Sequence, residues 1–154
     1  MLKQGDIAPQ FSTPNQYNQS VNLSDFAGHR NVVLYFYPKD DTPGCTIEAN
    51  DFTAYATEFN DADTIILGVS KDGCDSHKAF INKFSLTINL LADTDGTLCE
   101  AYDTWQLKTK NDVSKMGIVR STFIIDKAGV IQYAEYGVNP DGHAKAMLEK
   151  VKAL

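Results

Sequence analysis

Residues 31–46 read Asn31-Val32-Val33-Leu34-Tyr35-Phe36-Tyr37-Pro38-Lys39-Asp40-Asp41-Thr42-Pro43-Gly44-Cys45-Thr46. From Val32 to Tyr37 the run is apolar or aromatic without a break, the pattern of a strand whose two faces are both covered by helices. Pro38 stops the strand, because it has no N–H to give to a ladder. A short polar loop then reaches Pro43, a residue suited to the first turn of a helix. Beyond it Phe52, Tyr55, Ala56 and Phe59 recur at spacings of three and four, one apolar helix face. Buried strand, tight loop and helix follow one another directly, which puts Cys45 in the opening turn of the helix.

Outward from that unit the same alternation continues. Thr64–Val69 and Ile88–Ala92 read as further buried strands. Between them lies a helix with Asp75 or Ser76 as its cap and Phe80, Ile81 and Phe84 as its apolar face. Thr97–Tyr102 reads as a short helix and residues 103–117 as a polar, irregular surface excursion. Val119–Asp126 and Val130–Tyr136 flank Lys127-Ala128-Gly129, a hairpin signal. Asn139 is expected to cap the last helix, with Pro140 in its first turn and Ala144, Met147, Leu148 and Val151 as its buried stripe. Upstream, residues 1–23 suggest a hairpin or extended arm, and Leu23–Gly28 a single capped helical turn. Alternating strands and helices followed by a hairpin define an α/β chain. The expected architecture is a thioredoxin-like fold: a central mixed sheet covered by helices on both faces, with an N-terminal β-hairpin extension. No repeat or linker interrupts it, so residues 1–154 read as one domain.

Composition narrows the function. The chain has 154 residues, 43% hydrophobic and 22% charged, enough apolar side chain to offset the entropy of ordering and so to exclude disorder. Its formal net charge of −6 argues against a nucleic-acid binder, which needs clustered positive charge. Three cysteines, Cys45, Cys74 and Cys99, cannot pair off within the chain, so a disulfide framework is a poor reading. The first residues lack the apolar core of a signal peptide, and the longest apolar runs are strand-sized. A cytoplasmic, reducing setting without membrane association is therefore expected.

The chemistry gathers at Cys45. Free backbone N–H groups and the positive end of the helix dipole converge at a helix start and stabilise a thiolate there. Thr42 can set a hydroxyl beside the sulfur, and Pro38 and Pro43 stiffen the loop. The alternative is a cysteine that simply packs at a helix start. Arg120 precedes the apolar strand Ser121–Asp126, with a rigid, permanently charged fork suited to an anion; the alternative is a surface ion pair.

Phe36-Tyr37-Pro38-Lys39-Asp40-Asp41-Thr42-Pro43-Gly44-Cys45-Thr46 resembles the active-site signature of peroxiredoxins, and most of all that of the bacterioferritin comigratory protein or PrxQ subfamily. Gly5–Phe11, Leu90–Asp93 and Ile118–Asp126 are similar to that family as well, so the resemblance spans nearly the whole chain in matching order. The resemblance implies a thiol-dependent peroxidase for hydrogen peroxide and organic hydroperoxides, with no metal or organic cofactor. It implies that Cys45 is the peroxidatic cysteine, Thr42 the active-site hydroxyl, Pro38 the proline shielding the pocket and Arg120 the arginine that binds and polarises peroxide. It further implies a monomer or homodimer, with thioredoxin, glutaredoxin or a small thiol as reductant.

The chain departs from the subfamily at Asn50, where many relatives carry a resolving cysteine in the same helix. Other relatives place it in the helix after the next strand, which here has no cysteine. Cys74, ahead of that helix, is a possible resolving partner on the same sheet edge as Cys45, or else a loop thiol without a role. Cys99 reads as a packing residue. A one-cysteine mechanism resolved by an external thiol follows as the default. Cys74 and His77 form only half of a zinc-type set. His29, His77 and His143 read as surface or capping histidines, and Asp40 and Asp41 as loop carboxylates, more often solvated, that tune or shield the pocket. A thiol–disulfide oxidoreductase would need a second cysteine where Glu48 stands. A thioredoxin-fold binding module remains the third reading.

Overall fold

The computed structural model describes residues 1–154. The chain opens with an antiparallel hairpin, β1 (Ser12–Pro14) and β2 (Ser20–Asn22), and a 3₁₀ turn at Leu23–Phe26. β3 (Asn31–Phe36) is buried along its whole length. Then come α1 (Pro43–Ala54), α2 (Ala56–Asp61), β4 (Thr64–Ser70), α3 (Cys74–Phe84), β5 (Asn89–Ala92) and α4 (Thr97–Ala101). The chain finishes with β6 (Trp105–Lys110), β7 (Val113–Ile118), β8 (Ser121–Ile125), β9 (Ile131–Tyr136) and α5 (His143–Lys152).

The central sheet has five strands in the order β5-β4-β3-β8-β9. β3, β4 and β5 run parallel, while β8 and β9 are antiparallel additions on the other side of β3. This is the mixed, doubly covered sheet of a thioredoxin-like fold. Side chains alternate along β3 with the period of a strand: Val33, Tyr35 and Tyr37 enter one core, and Val32, Leu34 and Phe36 the other. The first core packs Phe52, Phe59, Phe80 and Met147 from the helices, and it also holds Cys45. The second holds Leu91, Cys99, Tyr102 and Phe123. Gly68 in β4 has no room for a side chain, since a Cβ there would sit 2.8 Å from Leu90 and 2.9 Å from the Tyr35 ring.

Four local expectations need correction. The helical pattern after Pro43 is broken at Tyr55 into two helices, although its apolar spacing runs straight through. Residues 105–118 are ordered as the antiparallel pair β6–β7, not an irregular excursion. Their turn is Asn111-Asp112 with φ of 52° and 61°, the left-handed pair that a two-residue hairpin loop uses. The hairpin lies outside the central sheet and is largely exposed, so it carries lysine, threonine and serine rather than apolar alternation. The helix α3 starts at Cys74, capped by Gly73 rather than Asp75 or Ser76. The last helix starts at His143 after Gly142 (φ 72°), leaving Pro140 outside it and Asn139 in a side-chain turn to Asp141 N. No helix is long and apolar enough to cross a membrane.

Candidate active site

Cys45 occupies the third position of α1, after Thr42 as N-cap, Pro43 and Gly44, and only 2% of it is exposed. Arg120, from the link between β7 and β8, reaches across to it: Nη2 donates to Cys45 Sγ at 3.4 Å. The backbone of Arg120 is held by two bonds, since Gly137 N and Val138 N both donate to its carbonyl at 2.9 Å. Gly44 makes the approach possible, because a Cβ there would lie 3.0 Å from Arg120 Nη2 and 3.5 Å from Pro140 Cγ. The arginine is therefore no surface ion-pair residue; its side chain is only 15% exposed.

The other arm of the fork binds Glu48, which stands where a thiol–disulfide oxidoreductase would have its second cysteine. Arg120 Nη1 donates to Glu48 Oε1 at 2.8 Å, and Glu48 is fully buried with its second carboxylate oxygen unpartnered. Burial raises the Glu48 carboxyl from 4.5 to about 7, with the Arg120 charge pulling the other way. Burial likewise opposes the charge of Arg120, but Glu48 and Cys45 outweigh it and hold the guanidinium above its ordinary pKa. The available signal was spacing: a glutamate three residues after Cys45 shares its helix face, beside buried Ala49 and Phe52.

Thr42 departs from its expected position toward the sulfur. Its hydroxyl donates to the Lys39 carbonyl at 2.9 Å and makes no hydrogen bond to Sγ. A hydroxyl in a turn finds an acceptor within its own loop before it finds a distant one. Its backbone carbonyl accepts from Thr46 N at 2.8 Å and so starts the helix. Pro38 is exposed and borders a groove shared with Lys39 and the β6–β7 hairpin.

Asp40 and His77 need the largest correction. Asp40 is 7% exposed and His77 is fully buried, so neither is a solvated surface group. Asp40 accepts from Tyr37 Oη at 2.6 Å and from Ser76 Oγ at 2.8 Å, and His77 Nδ1 lies 2.8 Å from the same carboxylate. His77 Nε2 lies 2.9 Å from the Leu91 carbonyl. The network ties the loop before Cys45 to the first turn of α3 and to β5. His143 is also buried, within 2.8 Å of Thr122 Oγ1, and burial lowers its pKa. His29 is exposed, as expected.

All three cysteines are free thiols. Cys74 opens α3 and points toward the N-terminal hairpin, with Sγ 3.9 Å from Asn18 Oδ1. Cys99 lies in the second core, across the sheet from Cys45, and burial pushes its thiol well above the usual range. Asn50 is exposed on α1. No group of three or more His, Cys, Asp and Glu side chains converges as metal ligands.

A helix-start thiol in contact with a part-buried arginine, at one edge of a thioredoxin-like sheet, is an arrangement suited to a thiol-dependent enzyme of that fold. The AhpC/TSA family model matches residues 4–134, and the chain belongs to that family. It is similar to the peroxiredoxin Bcp of Bacillus subtilis, 41% identical over 97% of this chain and 95% of the relative. It is equally similar to a Helicobacter pylori protein described as a putative peroxiredoxin Bcp, 41% identical over 97% of this chain and 98% of that one. Among solved structures, a cysteine-to-serine mutant of Xylella fastidiosa PrxQ matches with a TM-score of 0.93 and 36% identity, covering 99% of this chain and 97% of that one. Xanthomonas campestris peroxiredoxin Q matches at TM-score 0.88 and 38% identity over 93% and 90%. The chain is a peroxiredoxin enzyme with thiol peroxidase activity.

Proposed function

We propose that the peroxidase works through Cys45 alone, as a one-cysteine enzyme resolved by an external thiol. The Cys45 thiolate attacks one oxygen of the peroxide, the O–O bond breaks, and water or an alcohol leaves while Cys45 becomes a sulfenic acid. Arg120 and the N–H groups of the first α1 turn stabilise the charge that shifts onto the departing oxygen. Thr42 caps the helix and has a hydroxyl that can turn from the Lys39 carbonyl toward the peroxide. Pro38 borders the entrance. An incoming thiol then forms a mixed disulfide with Cys45 and releases water, and a second thiol frees Cys45 as a disulfide leaves. Thioredoxin, glutaredoxin or a small thiol can supply both. The observation that carries this reading is the 3.4 Å contact between Arg120 Nη2 and Cys45 Sγ.

The external resolver is supported by the placement of the other two thiols. Cys99 is on the far side of the sheet, and Cys74 faces Asn18. A second reading, with Cys74 as resolving thiol, draws on its position at the same sheet edge as Cys45. One equivalent of hydrogen peroxide, followed by mass mapping under non-reducing conditions, separates the two. The one-cysteine reading expects a Cys45 sulfenic acid or mixed disulfide, and a Cys45–Cys74 disulfide overturns it. Cys45→Ser is expected to abolish peroxide consumption with any thiol donor; retained activity would refute Cys45 as the reacting thiol.

A further inference from the structure

The groove that begins at Pro38 and runs along the β6–β7 hairpin encloses about 750 Å³, and five lysines line it: Lys39, Lys71, Lys108, Lys110 and Lys115. No aspartate or glutamate shares the lining, and none of the five lysines forms an ion pair. The chain carries 20 acidic residues against 14 basic ones, so carboxylates were not scarce. Lys108 and Lys115 even face each other directly across the hairpin, a like-charge pair that costs stability. Positive charge is concentrated here and left uncompensated by the protein itself.

The lysines are also placed. Gly117 leaves room for Lys108, since a Cβ there would stand 3.0 Å from Lys108 Cδ. Lys108 Nζ donates to the Ile118 carbonyl at 2.9 Å and keeps two further N–H groups for a ligand. Burial and the neighbouring Arg120 lower its pKa, as for an ammonium crowded by other positive charge. Lys71 Nζ lies 4.1 Å from the ring centre of Trp105, the single tryptophan of the chain. Lys39 follows β3 and Lys71 follows β4, so the groove opens at the carboxyl ends of parallel strands, where α/β sheets collect ligands.

The donor set decides the kind of anion. No arginine lines the groove, so it has no planar fork to hold one carboxylate by both oxygens. Ammonium groups act as point charges and suit the tetrahedrally spread oxygens of phosphate. Five of them balance several negative charges at once, more than a carboxylate or a single orthophosphate brings. The volume lies within the roughly 300–1,000 Å³ usual for a small ligand. We propose that this groove binds a chain of linked phosphates, inorganic tripolyphosphate or the triphosphate of a nucleotide, seated among Lys108, Lys110 and Lys115. The site is separate from the reacting sulfur and does not depend on how Cys45 is reduced.

Trp105 places a fluorophore in the groove. The full chain is titrated at low ionic strength, by tryptophan emission and by calorimetry, with sodium tripolyphosphate, ATP without magnesium, orthophosphate and a decapeptide of glutamate. Tripolyphosphate is expected to saturate one site per chain about tenfold or more tighter than orthophosphate, and to weaken as salt is added. Lys110→Gln/Lys115→Gln removes two charged donors and is expected to weaken it by about tenfold or more. Lys78→Gln/Lys145→Gln removes the same net charge from exposed helix positions elsewhere and should shift it by less than about twofold. Equal affinities for ATP and tripolyphosphate support the phosphate chain alone as the ligand, and tighter binding of ATP supports a nucleotide. No saturable binding of either overturns the proposal. So does orthophosphate binding as tightly as tripolyphosphate, or equal weakening in the two double variants. Tighter binding of the glutamate peptide overturns it as well, since the groove would then be the seat of an acidic protein.

Discussion

Arg120 divides its guanidinium between a thiol and a buried carboxylate, and that division makes Glu48 part of the pH behaviour of the site. Below about 7 the Glu48 carboxyl is protonated and the Arg120 charge faces Cys45 uncompensated; above it the carboxylate neutralises part of that charge. The rate of Cys45 oxidation is therefore expected to show an inflection near 7 that disappears in Glu48→Gln, whose amide oxygen can still accept from Nη1. An inflection that survives the substitution would assign it to another group. Arg120→Ala removes the donor outright and is expected to slow Cys45 oxidation by about 10²–10³, the usual cost of losing one preorganised donor. Stopped-flow oxidation of that variant checks it, and an unchanged rate would reduce Arg120 to a structural partner of Glu48. Cys45 and Arg120 were legible because each carries a distinctive group in a distinctive local pattern. Glu48 was not, because a glutamate on a helix is ordinarily a solvated residue, and only the tertiary approach of Arg120 buries it.

The loop that delivers Cys45 is anchored at the level of elements, by the junction of Asp40 with the first turn of α3. Both ring nitrogens of His77 lie within hydrogen-bond distance of buried partners, the Asp40 carboxylate at 2.8 Å and the Leu91 carbonyl at 2.9 Å. Removing the histidine leaves the buried Asp40 carboxylate short of a partner, at a cost of about 1–3 kcal/mol. His77→Phe is expected to lose stability in that range, read by urea denaturation, whereas Ser76→Ala forfeits one side-chain bond and should cost about 1 kcal/mol. Equal losses in the two variants would mean that the histidine merely fills space. Asp40 and His77 are 37 positions apart, and nothing local distinguishes either from a surface residue. The strands were read within a residue or two because their apolar runs are forced by burial on both faces. The β6–β7 hairpin escaped because an exposed two-stranded ribbon has no buried face to imprint on its sequence.

For the molecule as a whole, one sheet separates two cores, and the titrating groups of its first core act on stability in opposite directions. Glu48 has a folded value of about 7 against 4.5 for an ordinary carboxyl, so the folded chain binds more protons than the unfolded one between those limits. On that account stability falls as pH rises through the window. His143, seated on α5 against Phe52, has its value lowered below 6.5 by burial, so here the unfolded chain binds more protons. Its contribution is lost as pH falls below 6.5, and it makes stability rise with pH where Glu48 makes it fall. The two oppose each other between α1 and α5, so His143 offsets part of the fall in urea midpoint that Glu48 imposes from about pH 4.5 to about 7. Glu48→Gln removes only the falling component. Its midpoint is expected to climb with pH across the same window, and to exceed that of the unmodified protein by more at pH 7 than at pH 5, because the unmodified protein carries the cost of ionising a buried carboxyl only toward the upper end. Parallel midpoint curves for the two proteins would show that Glu48 titrates alike in the folded and unfolded chains. The Arg120 pairing would then fully offset its burial.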